Sequence, residues 1–531
     1  MHVNHASVTS VNLETIAAGG DMSLSHGRPV KTNSEMTGTL LETELKLDVD
    51  VEVGATVYES LLASFGRPTA RHHLISAYFD TIDDHLWHAG ITLRVRRDGK
   101  RRIQTIKVEG GKAAGLFSRP EWECDIAGET PDLDLPTAAL LTKLAAATIT
   151  ADTLQQVFTT NIARTLWLVD SDGATIEIAD DDGTITTDGR NDVIHELEFE
   201  LKKGTRAALF TVAAKIGATV PLRIGVRSKA ERGHALRSPD VGEALEAEPI
   251  ALEKDLTTAA GFQAIAGACI RHYRLNEGLL LEARDSETLH QCRVALRRLR
   301  AALTLFKPIL IDPESIALSD RLRTAAALFS DARNIDVLID RIADPKLLAK
   351  LTERREAIYA ELLSAIGADS FRALMLDLVR WISTGSWLSE MDTAEKRGQP
   401  ITAFAGHVLD RYQRRLNRRG RHLDRLSDEN RHKIRIVGKK LGYAADFFGT
   451  LFAGKKTRRR RQHFLEAITA LQTELGSLND ETTGAKLLKH FTPLAVPSKA
   501  DTTLATSSKN QSISRAADAY ELVKDLKRFW R

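Results

Sequence analysis

Polar and apolar side chains alternate from residue 41 to residue 47, which is the pattern of a β-strand. Because side chains alternate in direction along a strand, Glu42, Glu44 and Lys46 share one face and the leucines share the other. The same alternation returns about 150 residues later, where one face of residues 194–202 holds Glu196, Glu198, Glu200 and Lys202. The first half of the chain therefore predicts at least two strands with a charged face and an apolar face.

Further strand patterns lie between these two, at 73–81, 91–96, 102–107, 118–124, 158–169 and 174–185. We interpret 174–185 as two short strands joined by a tight turn at Asp180–Asp182. Cations follow the same alternation, at Arg94, Arg96, Lys107, Arg119 and Arg164. A face with charges of both signs can be a solvated surface, or it can line the inside of a closed sheet. Inside, each charge must be paired or bound to a metal.

An ordered set of short motifs in this half resembles the CYTH superfamily, the triphosphate tunnel metalloenzymes, over about residues 39–235. The set comprises Glu42-x-Glu44-x-Lys46, Tyr78-Phe79-Asp80-Thr81, Leu93-Arg94-x-Arg96, Lys107, Asp181-x-Gly183 and Glu198-x-Glu200-Leu201. The resemblance implies an eight-stranded antiparallel tunnel that hydrolyses triphosphate-bearing substrates with Mg²⁺ or Mn²⁺. Some members of the superfamily instead cyclise ATP.

The resemblance also implies roles for individual residues. The metal ligands would be Glu42, Glu44, Asp181, Glu198 and Glu200. The phosphate contacts would be Lys46, Arg94, Arg96, Lys107 and Arg164, with Arg119 and Lys229 as further members. Glu42, Glu44, Lys46 and Lys107 would form the catalytic set. Glu121, Glu123 and Glu196 are either further lumen acids or charge partners of these cations, and we favour the second role.

This chemistry suits a triphosphate, because its negative charges repel an attacking water until cations neutralise them. Carboxylates suit Mg²⁺, which bridges phosphate oxygens, and Lys and Arg stabilise the transferred and leaving groups. One metal would position the phosphate chain, and a second would lower the pKa of a bound water. No nucleophile stands beside a base, so a covalent phosphoenzyme is not expected.

The charge of the chain is divided unevenly between its two halves. Residues 1–258 carry 27 Lys and Arg against 39 Asp and Glu, whereas residues 259–531 carry 47 against 32. A basic half joined to an acidic half indicates two electrostatic tasks, and the basic half calls for a polyanion. Three distant cysteines and the lack of a long apolar run predict a cytoplasmic protein without disulfides or membrane spans.

Helical periodicity dominates the basic half, and one helix pattern occurs twice. His290, Arg293 and Arg297 return as His432, Arg435 and Lys439 at a constant shift of 142 residues, but Gly442 stands where the first copy has Arg300. A duplicated helical unit is expected to pack around a pseudo-twofold axis, so that the two basic stripes face each other. One such stripe alone would be a solvated surface. Two in the same register favour a phosphate-binding groove.

Over about residues 260–490 this half resembles the CHAD domain, a helical module, and the resemblance implies binding of inorganic polyphosphate. The residues carried over are His290, Arg293, Arg297, Arg298, Arg300, Arg333, His432, Arg435, Lys439, Lys440 and Tyr443. More cations at 414–421 and the run Lys455–Arg461 either extend the groove or are ordinary surface charge. Nucleic acid fits less well, because the half lacks the aromatic platforms of single-strand binders.

The predicted fold class is thus multidomain α+β. An eight-stranded antiparallel β tunnel with outer helices precedes an all-α bundle with an internal duplication. The expected limits are a disordered leader at 1–38, the tunnel at 39–236, a linker at 237–258, the helical domain at 259–495, and a flexible linker with a terminal helix at 496–531.

The expected activity is metal-dependent hydrolysis of inorganic triphosphate to diphosphate and phosphate, as in bacterial inorganic triphosphatases, with Mg²⁺ or Mn²⁺ as cofactor. Inorganic triphosphate and polyphosphate are the expected partners, without a membrane, and the protein is expected in the cytoplasm, associated with polyphosphate granules. Two alternatives remain: a non-catalytic polyphosphate-binding protein, and a hydrolase of nucleoside triphosphates.

Overall fold

The structure is a computed structural model, which describes residues 40–49, 54–108, 114–135, 141, 149–238, 242–340, 342–491 and 499–531. The leader expected at 1–38 lies outside these residues. The chain divides into two compact units. The first ends at Glu243 and takes in Met375–Arg380, and the second comprises Ala244–Leu374 and Trp381–Arg531. None of the described helices has an apolar stretch long enough to cross a membrane.

The first unit is a closed antiparallel barrel of eight strands, with a short ninth strand at its edge. The strands are β1 (Leu40–Val49), β2 (Ala70–Asp80), β3 (Ile91–Asp98), β4 (Arg101–Val108), β5 (Leu116–Asp125), β6 (Gln155–Ser171), β7 (Ala174–Thr187), β8 (Arg190–Lys203) and β9 (Leu222–Ile224). Neighbouring strands follow the order β5-β4-β3-β2-β6-β7-β8-β1, and β1 also pairs with β5. This last pairing closes the sheet and confirms the predicted eight-stranded tunnel.

Closure gives each strand an inner charged face and an outer apolar face. On β1, Glu44 lies opposite Glu200 and Lys46 lies opposite Glu198 of β8. The intervening Leu45 and Leu47 are fully buried on the outer side. Among the described residues, four helices accompany the barrel: α1 (Gly54–Phe65), α2 (His85–His88), α3 (Arg206–Gly217) and α4 (Lys229–Arg237). The sheet can therefore keep its charges inside because helices cover part of its apolar exterior.

The tight turn predicted at Asp180–Asp182 is wrong, because β7 runs unbroken through these residues. The hairpin turns lie instead at Asp172-Gly173 and Asp188-Gly189, where both residues of each pair have positive φ. Gly183 has another role. A Cβ on it would lie 2.0 Å from the carbonyl oxygen of Asn161 on β6, so the glycine allows the two strands to approach.

The second unit is helical, as predicted. Its helices are α5 (Thr258–Ala283), α6 (Ser286–Leu305), α7 (Pro313–Ile339), α8 (Pro345–Gly367), α9 (Asp369–Thr384, apart from the residues 375–380 that group with the first unit), α10 (Ala394–Gly398), α11 (Ile401–Arg419), α12 (Asp428–Phe447), α13 (Lys455–Phe491) and α14 (Lys499–Asp525). The segment before α5 packs on this unit. The amide of Leu245 donates to Asn276 of α5, and Thr450 bonds both Ile250 and Leu252.

Helices α6 and α7 of this unit are repeated as α12 and α13. Helix α12 begins and ends 142 residues after α6, each is followed by a 3₁₀ turn, and α13 begins 142 residues after α7. The equivalent residues Phe306 and Phe448 contact each other, with ring centroids 5.9 Å apart. Equivalent residues meet in this way beside a pseudo-twofold axis, so the packing agrees with the predicted duplication.

The flexible linker expected at the start of 496–531 is wrong for residues from Lys499 onward, because α14 begins there. The stretch from Lys499 to Asp525 contains no Gly or Pro to interrupt a helix. Its buried residues Ala516, Tyr520 and Val523 hold it in place, and the Tyr520 hydroxyl donates to the Asn417 carbonyl. Tertiary packing here outweighs the modest helix preference of Ser, Thr and Asn.

We predict that Gly183→Ala destabilises the barrel by about 1–3 kcal/mol, because its methyl group has no space beside Asn161. Gly217→Ala is the matched control, since a Cβ at Gly217 meets nothing within 4 Å. The control should be neutral or slightly stabilising. Denaturant unfolding of both variants measures the difference, and equal stability of the two would contradict this role of Gly183.

Candidate functional site

The barrel encloses a cavity of about 610 Å³ whose lining is mostly charged. Seven carboxylates and eight cations line it: Glu42, Glu44, Glu121, Glu123, Glu177, Glu198 and Glu200 with Lys46, Arg94, Arg96, Lys107, Arg119, Arg164, Lys202 and Lys229. The other lining residues are Tyr78, Thr92, Leu201, Ser228 and Ala230. The barrel therefore brings almost every predicted tunnel residue into one cavity.

The exceptions are Asp181 and Glu196, which stand behind this lining as part of a compact group of carboxylates. Asp181, Glu196 and Glu198 each offer an oxygen within 4.8 Å of the others. Lys229 contacts all three, at 2.7 Å from Asp181 and 2.9 Å from Glu198. Glu196 thus pairs with a cation, as expected of a charge partner, and it also belongs to the carboxylate group.

Two further cations complete this inner cluster. Lys46 lies 2.5 Å from Glu196 and 3.6 Å from Glu198, and Arg164 lies 2.6 Å from both Asp181 and Glu198. Burial opposes ionisation of Glu198, but Lys229, Arg164 and Lys46 hold the pKa of its carboxyl well below the usual range. The Glu198 carboxyl is therefore ionised at neutral pH.

The inner group fits a divalent cation. Its donors are carboxylate oxygens, which Mg²⁺ and Mn²⁺ prefer. One of them, Oε2 of Glu196, is buried and has no hydrogen-bond partner among the described residues. A buried carboxylate oxygen without a partner is costly, and a bound cation would satisfy it.

A second cluster surrounds Glu42 and Glu44 on β1. Lys107 lies 2.7 Å from Glu42 and 2.9 Å from Glu121, and Arg119 lies 2.9 Å from Glu44. Burial disfavours the charge of Glu42, but the Lys107 ammonium outweighs it and lowers the pKa of this carboxyl to about 2. Glu42 is thus ionised throughout the neutral range.

Glu44 behaves in the opposite way, because it is almost fully buried and faces other carboxylates. Burial, reinforced by the charges of Glu198 and Glu42, raises the pKa of Glu44 to about 7. Arg119 and Lys107 offset only part of this effect. A cation beside Glu44 would therefore favour its ionised form.

The arginines of β3 differ in how far their charges are neutralised. Arg94 lies 3.5 Å from Glu121 and 3.7 Å from Glu123. Arg96 makes no ion pair within 4.0 Å among the described residues, and its Nε lies 3.5 Å from the Ser76 hydroxyl. Burial, with repulsion from Arg94 and Arg164, lowers the pKa of Arg96 to about 10. An incoming anion would relieve this repulsion.

Glu200, a predicted metal ligand, lies apart from the inner group. Its carboxylate is 2.7 Å from Lys202, which is also 3.2 Å from Glu177 on β7. No role was assigned to Lys202 or Glu177 from the sequence. Glu177 is four residues from Asp181, on the same face of β7, so strand alternation would have found it without the mistaken turn.

The predicted basic residues of the second unit lie on α6, α7 and α12. Burial and the charges of Arg333, Arg293 and Arg297 lower the pKa of His290, which places these cations around its ring. Across the duplication, Lys440 of α12 lies near Arg300 of α6, and burial, with the charges of Arg415, Arg300 and Arg411, lowers its pKa. Side chains of α6, α11 and α12 thus contribute to one basic surface around Arg300 and Lys440.

Other members of the predicted set are engaged in packing. Arg298 pairs with Asp446 and lies over the Phe447 ring at 5.1 Å, and it is buried. Arg297 lies over Tyr443 at 6.0 Å. His432, Arg435 and Lys439 occupy α12. Gly442 lacks a side chain because a Cβ there would lie 2.4 Å from Nε2 of Gln472 on α13.

We predict that Glu44→Gln raises the stability of the metal-free protein at pH 8 more than at pH 5. The folded-state pKa of about 7 exceeds the ordinary 4.5. The contribution of Glu44 to wild-type stability is therefore greatest below pH 4.5 and is lost as the pH rises through 7, because the buried carboxyl must ionise. Glutamine has no such penalty, so the gain should grow with pH by up to about 3 kcal/mol. Denaturant unfolding in EDTA measures it, and a gain independent of pH would contradict the prediction.

Two family models match the chain. The CYTH domain model matches residues 40–234, and the CHAD domain model matches residues 264–489. An inorganic triphosphatase of Haemophilus influenzae is 33% identical over 204 residues, which are 38% of this chain and 56% of that protein. The chain thus spans just over half the length of this curated relative.

Solved structures show likeness to each unit separately. The CHAD domain of the plant Ricinus communis is 26% identical, with 54% of this chain and 98% of that chain covered and a TM-score of 0.44. A putative adenylyl cyclase from Hippeastrum, described as having a dominant triphosphatase activity, is 16% identical, with coverages of 37% and 96% and a TM-score of 0.30. On the two family matches, the chain carries a CYTH domain followed by a CHAD domain.

Proposed function

We propose that the barrel hydrolyses inorganic triphosphate with Mg²⁺ or Mn²⁺, and that the helical unit binds inorganic polyphosphate. The observation that carries the first part is the enclosed cavity in which cations and carboxylates alternate at ion-pair distance. The 33% sequence identity to an inorganic triphosphatase over 204 residues supports the choice of substrate. The limits proposed for the two domains are 39–236 and 259–495, with a linker between them.

The charge of the cavity supports a metal requirement. Its eight cations face seven lining carboxylates, and Asp181 and Glu196 contact the same cations from behind. The protein alone thus offers no excess of positive charge to a substrate with several negative charges. A divalent cation bound with the substrate would supply this excess.

Asp181, Glu196 and Glu198 would hold a divalent cation, and Glu42, Glu44 and Glu200 would provide further carboxylate oxygens. When bound, the cation would neutralise phosphate oxygens and favour an attacking water. Lys46 and Lys229 would pass from carboxylate to phosphate oxygens, since both line the cavity. The carboxylates that the lysines leave would then be paired with the metal cation, so no buried charge would remain unpaired.

The remaining cations would orient the phosphate chain. Arg94 and Arg96 extend from β3, Lys107 from β4, Arg119 from β5 and Arg164 from β6. Because they come from four strands of a rigid barrel, their positions do not depend on a mobile loop. Such fixed cations can stabilise the charge of the transferred and leaving phosphates without reorganising.

In the helical unit, the basic surface around Arg300 and Lys440 supports polyphosphate binding. Burial and repulsion from neighbouring arginines lower the pKa of both side chains, so the folded unit bears an electrostatic cost there. A phosphate chain would remove this cost. The protein would then concentrate phosphate polymers next to a phosphoanhydride hydrolase, as at a polyphosphate granule.

We predict that Glu198→Gln lowers phosphate release from inorganic triphosphate at least about a hundredfold, because it removes a shared ligand of the metal and the lysines. Glu59→Gln, at an exposed position on α1, is the control and should leave the rate unchanged. The assay compares triphosphate, ATP and long polyphosphate with Mg²⁺, Mn²⁺ or EDTA. Turnover that survives EDTA would reject the metal requirement, and preference for ATP would favour a nucleoside triphosphatase.

We also predict that Arg300→Gln with Lys440→Gln weakens binding of short polyphosphate and makes its salt dependence shallower, because two phosphate contacts are lost. Lys346→Gln with Lys350→Gln, two exposed residues of α8, is the matched control. Retention measured from 50 to 300 mM salt tests the prediction. Equal salt dependence of the double variant and its control would reject this surface as the groove.

A further inference from the structure

The start of α13 carries a basic run that the proposed site does not use. Six of the seven residues from Lys455 to Arg461 are cations, and all but Arg461 of these six are exposed. None of the six forms an ion pair with another described residue within 4.0 Å. We define the exposed cations Lys455, Lys456, Arg458, Arg459 and Arg460 as the α13 basic run.

The duplication provides an internal control for this run. The equivalent helix of the first repeat, α7, begins at Pro313, and its first seven residues contain Glu314 and no cation. Asp312 precedes it and accepts a hydrogen bond from the Ser315 amide at 2.6 Å. The same fold position is therefore built in the first repeat without any positive charge. The α13 basic run is not a requirement of the architecture.

The α13 basic run also opposes helix stability. Cations near a helix N-terminus face the positive end of the helix dipole. Lys455 and Arg459 are four residues apart, as are Lys456 and Arg460, so like charges repel along the same face. A feature that the fold does not need, and that costs stability, calls for an anionic ligand.

The run lies at the far end of α12 from His432. Helix α13 runs back along α12, because Gln472 donates to the Gly438 carbonyl at 3.3 Å while Arg461 lies over Gly449. Lys440, in the basic surface, is seven residues before the last residue of α12, which is about 10 Å along the helix axis. A ligand that reaches both places must be an extended polyanion.

We propose that the α13 basic run is a second polyphosphate-binding segment, to which long chains extend after filling the surface around Arg300 and Lys440. This inference rests on the proposed polyphosphate binding by the helical unit. The run offers ammonium and guanidinium groups with Thr457, all of which bind phosphate oxygens, and no aromatic side chain on which a nucleobase could stack. Its chemistry thus suits a ligand made of phosphates. Two linked segments raise the affinity for chains long enough to span them.

The test replaces all five cations of the α13 basic run with Gln in the full chain. The matched control loses the same amount of charge through five Lys→Gln substitutions at scattered exposed positions. These positions are Lys254, Lys346, Lys350, Lys396 and Lys527. Binding is measured for polyphosphates of a few phosphates and of several hundred phosphates, and for duplex DNA. Unfolding is measured in parallel, and the run variant should be at least as stable as wild type.

We expect the run variant to bind long polyphosphate at least about tenfold more weakly than the control, with short-chain binding unchanged. Equal long-chain affinity of run variant and control would overturn the second segment while the surface around Arg300 and Lys440 still binds short chains. Loss of duplex DNA binding without loss of long-chain binding would also overturn it and assign the run to nucleic acid. Failure of the wild type to bind either chain length would reject the proposed function itself.

Discussion

Pairing of buried charge inside a closed sheet is the constraint on which the barrel depends. The pairing of β1 with β5 removes the sheet edges and turns the charged faces inward. A buried charge in the lumen is then costly unless it meets an opposite charge, and most of the lining charges do so. Lys229, on a helix outside the strand sequence, satisfies three carboxylates at once. The same network that makes the lumen tolerable also makes it a place where an anion and a metal can enter together.

This constraint explains why the carboxylates do not behave alike. Glu42 and Glu44 are two residues apart on one strand face, yet one has a lowered pKa and the other a raised pKa. The difference comes from the Lys107 ammonium beside Glu42 and from the burial of Glu44 among other acids. Alternation along β1 places both in the lumen, but only the three-dimensional arrangement decides which one holds its proton.

The sequence was a good guide to the strands and to the duplication, since both rest on local periodicity. Strand alternation predicted the inward face of β1 and β8, and the shift of 142 residues predicted the relation of α6 to α12. It failed at Asp180–Asp182 and from Lys499, where turn-forming or weakly helical residues lie within regular elements. There, a close approach at Gly183 and the packing of Tyr520 decide the structure, and neither is a local property. The place of Glu196 in the inner carboxylate group likewise depends on distances between strands, which alternation along one strand does not predict.

The contact between Phe306 and Phe448 has a consequence for how the helical unit could change. In a symmetric pair of separate chains, a residue that meets its own copy cannot vary on one side alone, because each substitution appears twice. Joining both copies in one chain lifts this restriction. One copy can then carry Gly442 at the position equivalent to Arg300, and cations at the start of α13. The other copy has Arg300 itself, with Pro313 and Glu314 at the start of α7. Covalent fusion thus turns a symmetric scaffold into one with two inequivalent ends.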